Sequence, residues 1–223
     1  MSAFDKDDSI RVAVVTGAHP YDVLGFHGLF NSLGGVVPYI QHMDDFTSSS
    51  DEIRNGYDVV LFYTMLKKSP DDEAATWYQG KPMSALASLC QGGQGILVLH
   101  HAILAFPEWQ LWSDLVGIED RSFGYHIGQN IHVDIGNAEH PITAGLSPWD
   151  MIDETYTMAD ASEGSVVLLS VAHEKSMKHI AWTRQYEKSR VFCFQSGHDN
   201  DTWVDSNFRE VLRRGLLWCA GRI

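Results

Sequence analysis

The chain has 223 residues, with 16 Lys and Arg against 29 Asp and Glu, a formal net charge of −13. That balance excludes a protein built to hold nucleic acid, because such affinity rests on Lys and Arg set against phosphates. Hydrophobic residues make up 44% and charged residues 20%, which suits a globular chain able to bury a core without staples, and no apolar run approaches the roughly 18 residues that cross a bilayer.

Such a length fits one domain better than two. Residues 1–9 read as a frayed tail, and the start MSAFDKDDSIR is too polar for a signal peptide. Ile10–Gly17 (IRVAVVTG) is a short β-branched run closed by Gly, which predicts a buried strand. Val23–Leu33 has apolar residues at helical spacing, with Asp22 as N-cap and Gly34-Gly35 as the stop. Val36–Ile40 is a second strand, Ser48–Asn55 a helical turn capped by Ser50 or Asp51, and Tyr57–Tyr63 a third strand. Pro82–Cys90 is helical and ends at Gly92-Gly93. Gly95–His100 (GILVLH) is a fourth strand. Glu108–Val116 reads as a helix, and Asn130–Ile135 alternates like a half-buried strand. Val166–Val171 and Arg190–Gln195 are strands, with another around Ile180–Trp182. Asn207–Cys219 is a final helix with Phe208, Val211, Leu212, Leu216 and Cys219 on one stripe.

Near-continuous apolar strands alternating with helices predict a parallel sheet covered on both faces. The expected fold is a single doubly wound, flavodoxin-like α/β domain, mostly parallel, with extra antiparallel strands in its later half. In such sheets ligands bind outside the carboxyl ends of the strands.

The 11 histidines are numerous against the 16 Lys and Arg, and several fall at those ends. His19 follows the first strand. His100 and His101 end the fourth, and His198 with Asp199 follows the strand ending near Gln195. Histidine serves there as acid, base or metal ligand. Adjacent residues of a strand face opposite sides, so only one of His100 and His101 should enter the crevice unless the strand has already ended. His126, after Tyr125 in an aromatic loop, and the Asp153-Glu154 pair beside Tyr156 are further candidates. His132 and His140 read as structural. Trp203, five residues after His198, is a candidate pocket wall. Aromatic faces beside carboxylates and amides suit a sugar.

The three Cys read as buried small hydrophobes, with no disulfide framework and no nucleophile elbow, so a reducing cytoplasm is expected. There is no phosphate-binding loop and no dinucleotide fingerprint.

Four segments carry a resemblance: GGQGILVLHHA at 92–102, HPITAGL at 140–146, DETY at 153–156 and SGHDNDTWVDSNFREVLRRGLLWCAG at 196–221. In order and spacing the chain resembles the trehalose-utilisation (ThuA-like) family. The resemblance implies a class I glutamine amidotransferase-like fold in which His100-His101 stand where the nucleophilic Cys would lie. It also implies a place in bacterial disaccharide or glycoside use. His100, His101, Asp153, Glu154, His198 and Asp199 fall on its motifs.

The expected function is therefore action on a sugar or 3-keto-sugar. His101, His198, Asp199 and Glu154 would be catalytic. His100, His126, Tyr125, Trp203 and Asp153 would bind substrate. A divalent ion, zinc or manganese, would sit on His19, His101 and His198. The alternative is a non-catalytic carbohydrate-binding or regulatory protein on the same scaffold. Neither nucleic acid nor membrane is an expected partner, and a homodimer through surface helices remains open.

Overall fold

The computed structural model describes residues 9–223, so the tail read at 1–9 lies outside the described residues except for Ser9. Nine strands form one sheet: β1 (Ile10–Gly17), β2 (Val36–His42), β3 (Val59–Thr64), β4 (Gly95–Leu99), β5 (Gly124–Ile135), β6 (Trp149–Thr157), β7 (Val166–Val171), β8 (His179–Tyr186) and β9 (Ser189–Phe194). Their order across the sheet is β2-β1-β3-β4-β9-β8-β7-β5-β6. The first five of these run parallel. The other four continue antiparallel from β9. A flavodoxin-like parallel half with a late antiparallel extension is the architecture the sequence predicts.

Two helical layers sandwich the parallel half. Helix α1 (Val23–Asn31) packs on one face, with Asp22 capping it through the amides of Leu24 and Gly25. The short helices α2 (Met43–Ser48) and α3 (Asp51–Arg54) follow β2, and α3 is capped by Ser50. Helix α4 (Pro82–Gly92) begins at a proline and ends at a left-handed Gly93. Helix α5 (Gln110–Val116), the single turn α6 (Asn200–Trp203) and α7 (Ser206–Cys219) complete the set.

Strand alternation sends side chains into two cores. Val12, Val14, Leu61, Leu97, Leu99, Phe192 and Phe194 meet α1 and α7. Ala13, Val15, Val60, Phe62, Ile96, Val98 and Val191 meet α2, α4 and α5. Each fully buried Val, Leu or Phe contributes about 1.5–3 kcal/mol. The expected stripe of α7 is buried at all five positions. Cys90, Cys193 and Cys219 are buried free thiols, and burial pushes Cys90 up to about 12. Among the described residues no helix is long and apolar enough to cross a membrane.

Sequence periodicity misses three elements: α2, α6 and β6. Of the antiparallel strands, β7 has the expected bounds, while β5, starting at Gly124, and β8, ending at Tyr186, run longer than expected.

On α7, Glu210 accepts from Arg213 Nε and Nη2 at 2.9 and 2.8 Å and from Arg214 Nε at 2.6 Å. The Arg213 hydrogen bond, with Arg214 behind it, lowers the carboxyl from 4.5 to about 2. A carboxyl depressed on folding adds stability above its unfolded pKa and loses it as pH falls through the folded value. The side chain is 32% exposed, so screening limits the gain to about 1 kcal/mol. Glu210→Gln should therefore lose about 1 kcal/mol at neutral pH. Urea titrations over a pH series should show the gap closing between pH 4.5 and about 2. A gap that persists at the acid end would show that charge is not its source.

Candidate functional site

The strand order reverses between β1 and β3, which places a crevice at the carboxyl ends of the parallel strands. The chain leaves β1 through Ala18, at φ +57°, and brings His19 over this edge. Tyr63 stands near the end of β3. Its hydroxyl donates toward the carbonyls of Gly197 and His198, at 3.2 and 3.0 Å, and so ties down the β9 exit. Gly197 has φ +124°, and an added Cβ would come within 3.2 Å of the Phe208 ring. The tight exit that aims His198 therefore needs glycine.

Strand β4 ends at Leu99, and His100 opens a 3-10 turn (His100–Leu104) with φ +53°. A strained strand-to-helix turn is how an elbow presents one side chain at a sheet edge. Because the strand has ended, both histidines enter the site, with rings 5.3 Å apart and nearly perpendicular.

Three side chains converge. His100 Nδ1 donates to the Gln195 carbonyl at 2.6 Å, which fixes the tautomer and leaves Nε2 with its lone pair. That Nε2 lies 3.4 Å from Glu154 Oε1. His198 Nδ1 lies 3.0 Å from Asp199 Oδ2, and its Nε2 lies 3.6 Å from Glu154 Oε2. One carboxylate thus spans two imidazole Nε2 atoms, each ring held from behind by an oxygen. Metal-binding histidines are oriented in this way. Tetrahedral ligands at about 2.0–2.2 Å from an ion sit roughly 3.3–3.6 Å from one another. All three donor atoms lie within 4.8 Å of each other, so His100, Glu154 and His198 fit a divalent cation. The Tyr156 hydroxyl, 2.8 Å from His100 Nε2, donates to that lone pair here, so an ion binding at Nε2 would displace this hydrogen bond.

Glu154 comes from β6, the far edge of the sheet, because the β5–β6 ribbon folds back over the end of β9. Gln195 Nε2 donates to the Glu154 carbonyl at 2.8 Å. Asp153 locks the crossing. Its Oδ1 accepts from the amides of Glu154 and His198 and from the Thr202 hydroxyl, and its Oδ2 accepts from the Gly197 amide.

Burial raises the Asp153 pKa against the pull of His100 and its donors. For Glu154 burial also pushes upward, but the hydrogen bond and charge of His100 in its protonated form, then the charge of protonated His198, prevail and hold it below its ordinary value. Burial, then the charge of His100, lowers His19. Burial lowers His101 much further. Both are neutral imidazoles at neutral pH.

His19, His100, His101 and His198 gather as expected, but their parts differ from the sequence reading. The His101 ring stacks on His19 at 4.1 Å, and neither of its nitrogens has a hydrogen-bond partner. His101 lies outside the group of donor atoms that could hold an ion, which is His100, Glu154 and His198 rather than His19, His101 and His198. Asp153 is buried and wholly engaged with protein donors, so it is a scaffold and not a substrate contact. Trp203 is 2% exposed, packs on Phe26 and donates its indole N–H to Gly197, so it is core and no pocket wall. Tyr125 is exposed, and His126 meets Thr157 at 3.5 Å; neither joins the cluster. Asp199 both orients His198 and caps α6 through the Asp201 amide. His140 behaves as read and accepts from the Ile142 amide in its turn, whereas His132, expected to be half-buried, is exposed and pairs with Asp150. Tyr63 and Gln195 escape sequence reasoning, because a strand-end Tyr or Gln carries no signal of its own.

A family model described as trehalose utilisation (ThuA) matches residues 38–219. No curated protein matches the sequence. Among solved structures, a ThuA-like protein from Parabacteroides merdae is 16% identical with a TM-score of 0.76, over 96% of this chain and 91% of that one. A cytoplasmic protein from Salmonella typhimurium is 12% identical with a TM-score of 0.66, over 93% and 98%. A glutamine amidotransferase from Thermotoga maritima is 9% identical with a TM-score of 0.54, over 95% and 98%. At these identities the likeness is one of fold.

Proposed function

The chain belongs to the trehalose-utilisation (ThuA) family, and from that premise we propose that it is an enzyme acting on a sugar, specifically a 3-keto-glycoside, by histidine and carboxylate chemistry assisted by a divalent cation. The observation that carries this reading is the spacing of 3.4 and 3.6 Å from the Glu154 carboxylate to two anchored imidazoles. When bound, zinc or manganese supplies positive charge where an enolate oxygen develops.

A ketone at C3 acidifies the proton on C2. His19 is neutral, half-buried and edge-on to His198 at 6.1 Å, and its Nδ1 is shut away from solvent. Its Nε2 takes the C2 proton. The C1–O bond then breaks, its electron pair leaves on the glycosidic oxygen, and the imidazolium returns the proton to that oxygen. The products are an unsaturated keto-sugar and a free sugar, with no oxidant or reductant consumed. Asp199 holds the tautomer of His198, and the Tyr156 hydroxyl is a donor beside the developing charge. We place this chemistry in the cytoplasm, where the Salmonella structural relative is described.

The test is metal analysis of the purified protein, followed by incubation with 3-keto-trehalose with and without chelator. The reading expects one zinc or manganese per chain and chelator-sensitive glucose release. Saturable sugar binding without release under any metal condition would favour a binding protein instead.

A further inference from the structure

A charged cavity of about 480 Å³ lies outside the histidine cluster. Lys67, just after β3, and Arg121, in the loop before β5, line it together with Leu104, Pro107 and Phe123. Arg121 is 5% exposed. Its Nη2 donates to the Phe106 carbonyl at 2.6 Å, but Nε and Nη1 have no partner. Arg54, buried to a similar degree, also has an unpartnered Nε, but it is paired with Asp51 and hydrogen-bonded to the carbonyls of Thr47 and Ser49.

The chain has 29 acids, and two of them, Glu119 and Asp120, lie exposed at the same cavity without contacting either cation. Glu119 accepts from Gln110 and Asp120 from the Ser122 amide. Glu119 acts on Arg121 only through its charge at a distance. Among the described residues no carboxylate forms an ion pair with Arg121 or Lys67. The Lys67 ammonium lies 5.0 Å above the Phe123 ring, and burial, then the charge of Arg121, lowers its pKa. A buried guanidinium with two unpartnered N–H positions and no contacting carboxylate is costly unless something anionic completes it.

We propose that this cavity binds the oxyanion of a small ligand, a carboxylate or a phosphate monoester, through the unpartnered N–H groups of Arg121 and the charge of Lys67. A guanidinium presents planar, fixed donors that suit either group. The Phe123 ring is 5.6 Å from Tyr156, whose hydroxyl reaches His100, so the cavity adjoins the histidine centre across two packed rings. That this ligand is the substrate of that centre rests on the function proposed above; the binding itself does not.

The test follows the Arg121 side-chain Nε–H signal in ¹⁵N-labelled full-length protein. The additions are glucose 6-phosphate, glucuronate and neutral glucose. A saturable shift with at least one oxyanion, at a Kd near or below roughly 10 mM, and none with glucose is expected. The tighter of the two names the chemical source. Lys67→Gln should raise that Kd about fivefold or more, from loss of one charged contact. Lys67 is exposed, so this variant keeps the proposal open to failure even if Arg121→Gln does not fold. A signal that neither oxyanion moves, one that glucose moves equally, or an unchanged Kd in Lys67→Gln would overturn it. The readout needs no turnover, so a dead or metal-free histidine centre leaves it interpretable.

Discussion

Glu154→Gln is expected to cut turnover of a 3-keto-disaccharide by about 1,000-fold or more, equivalent to about 4 kcal/mol of transition-state stabilisation. Glutamine keeps the volume, and the backbone carbonyl still receives the Gln195 amide, so the fold survives. The negative charge shared between His100 and His198 is lost. An amide is a poor ligand for zinc or manganese and leaves two imidazoles to hold the ion alone. Metal content of the purified variant should fall in parallel with kcat/KM, while the circular dichroism spectrum stays that of the wild type. Asp199→Asn makes the internal comparison. It leaves all three donor atoms in place and weakens only the hold on His198 Nδ1, which costs roughly 10–100-fold. Glu154→Gln retaining full metal and turnover within tenfold of wild type would remove Glu154 from the centre.

Much of this site is readable in sequence, for a local reason. Strands β1, β3 and β4 are short β-branched or aliphatic runs ending at Gly17, Thr64 and Leu99, so their exits, and the histidines on them, follow from counting. Other features depend on distant parts of the chain. Strand β6 reads WDMIDETYT, with acids where a strand should be apolar, because Asp153 and Glu154 are buried against the β9 exit and not in an ordinary core. Residues 100, 154 and 198 come from three separate strands or strand exits, so no ligand spacing exists to be found. The roles of His100 and His101 turn on one backbone angle, φ +53°, which places His100 on the carboxylate and leaves His101 stacked on His19. Trp203 misleads for a similar reason. Helix α6 has four residues, too few to show a period, so a buried indole looks like a loop aromatic.

Asp153→Asn should cost about 2–4 kcal/mol of stability even though the side chain keeps its shape. Both oxygens of Asp153 meet donors: the Glu154 and His198 amides and the Thr202 hydroxyl on Oδ1, the Gly197 amide on Oδ2. Whichever way an asparagine amide is turned, its NH₂ faces a backbone N–H. At least one buried donor is then left without an acceptor, at about 1–3 kcal/mol, and the remaining bonds lose the strengthening that charge gave them. Asp153→Ala removes every acceptor at once and should cost about 3–5 kcal/mol. Chemical denaturation reads both losses. The Asp153→Asn substitution also separates two roles for this residue. If Asp153 is the scaffold under His198 and Glu154, the variant loses stability and kcat together, since the groups held there are those that do the chemistry. If Asp153 is a substrate contact, the variant has a raised KM and an unfolding midpoint near that of the wild type. A variant within about 0.5 kcal/mol of wild type in stability would return Asp153 to the substrate side of the site.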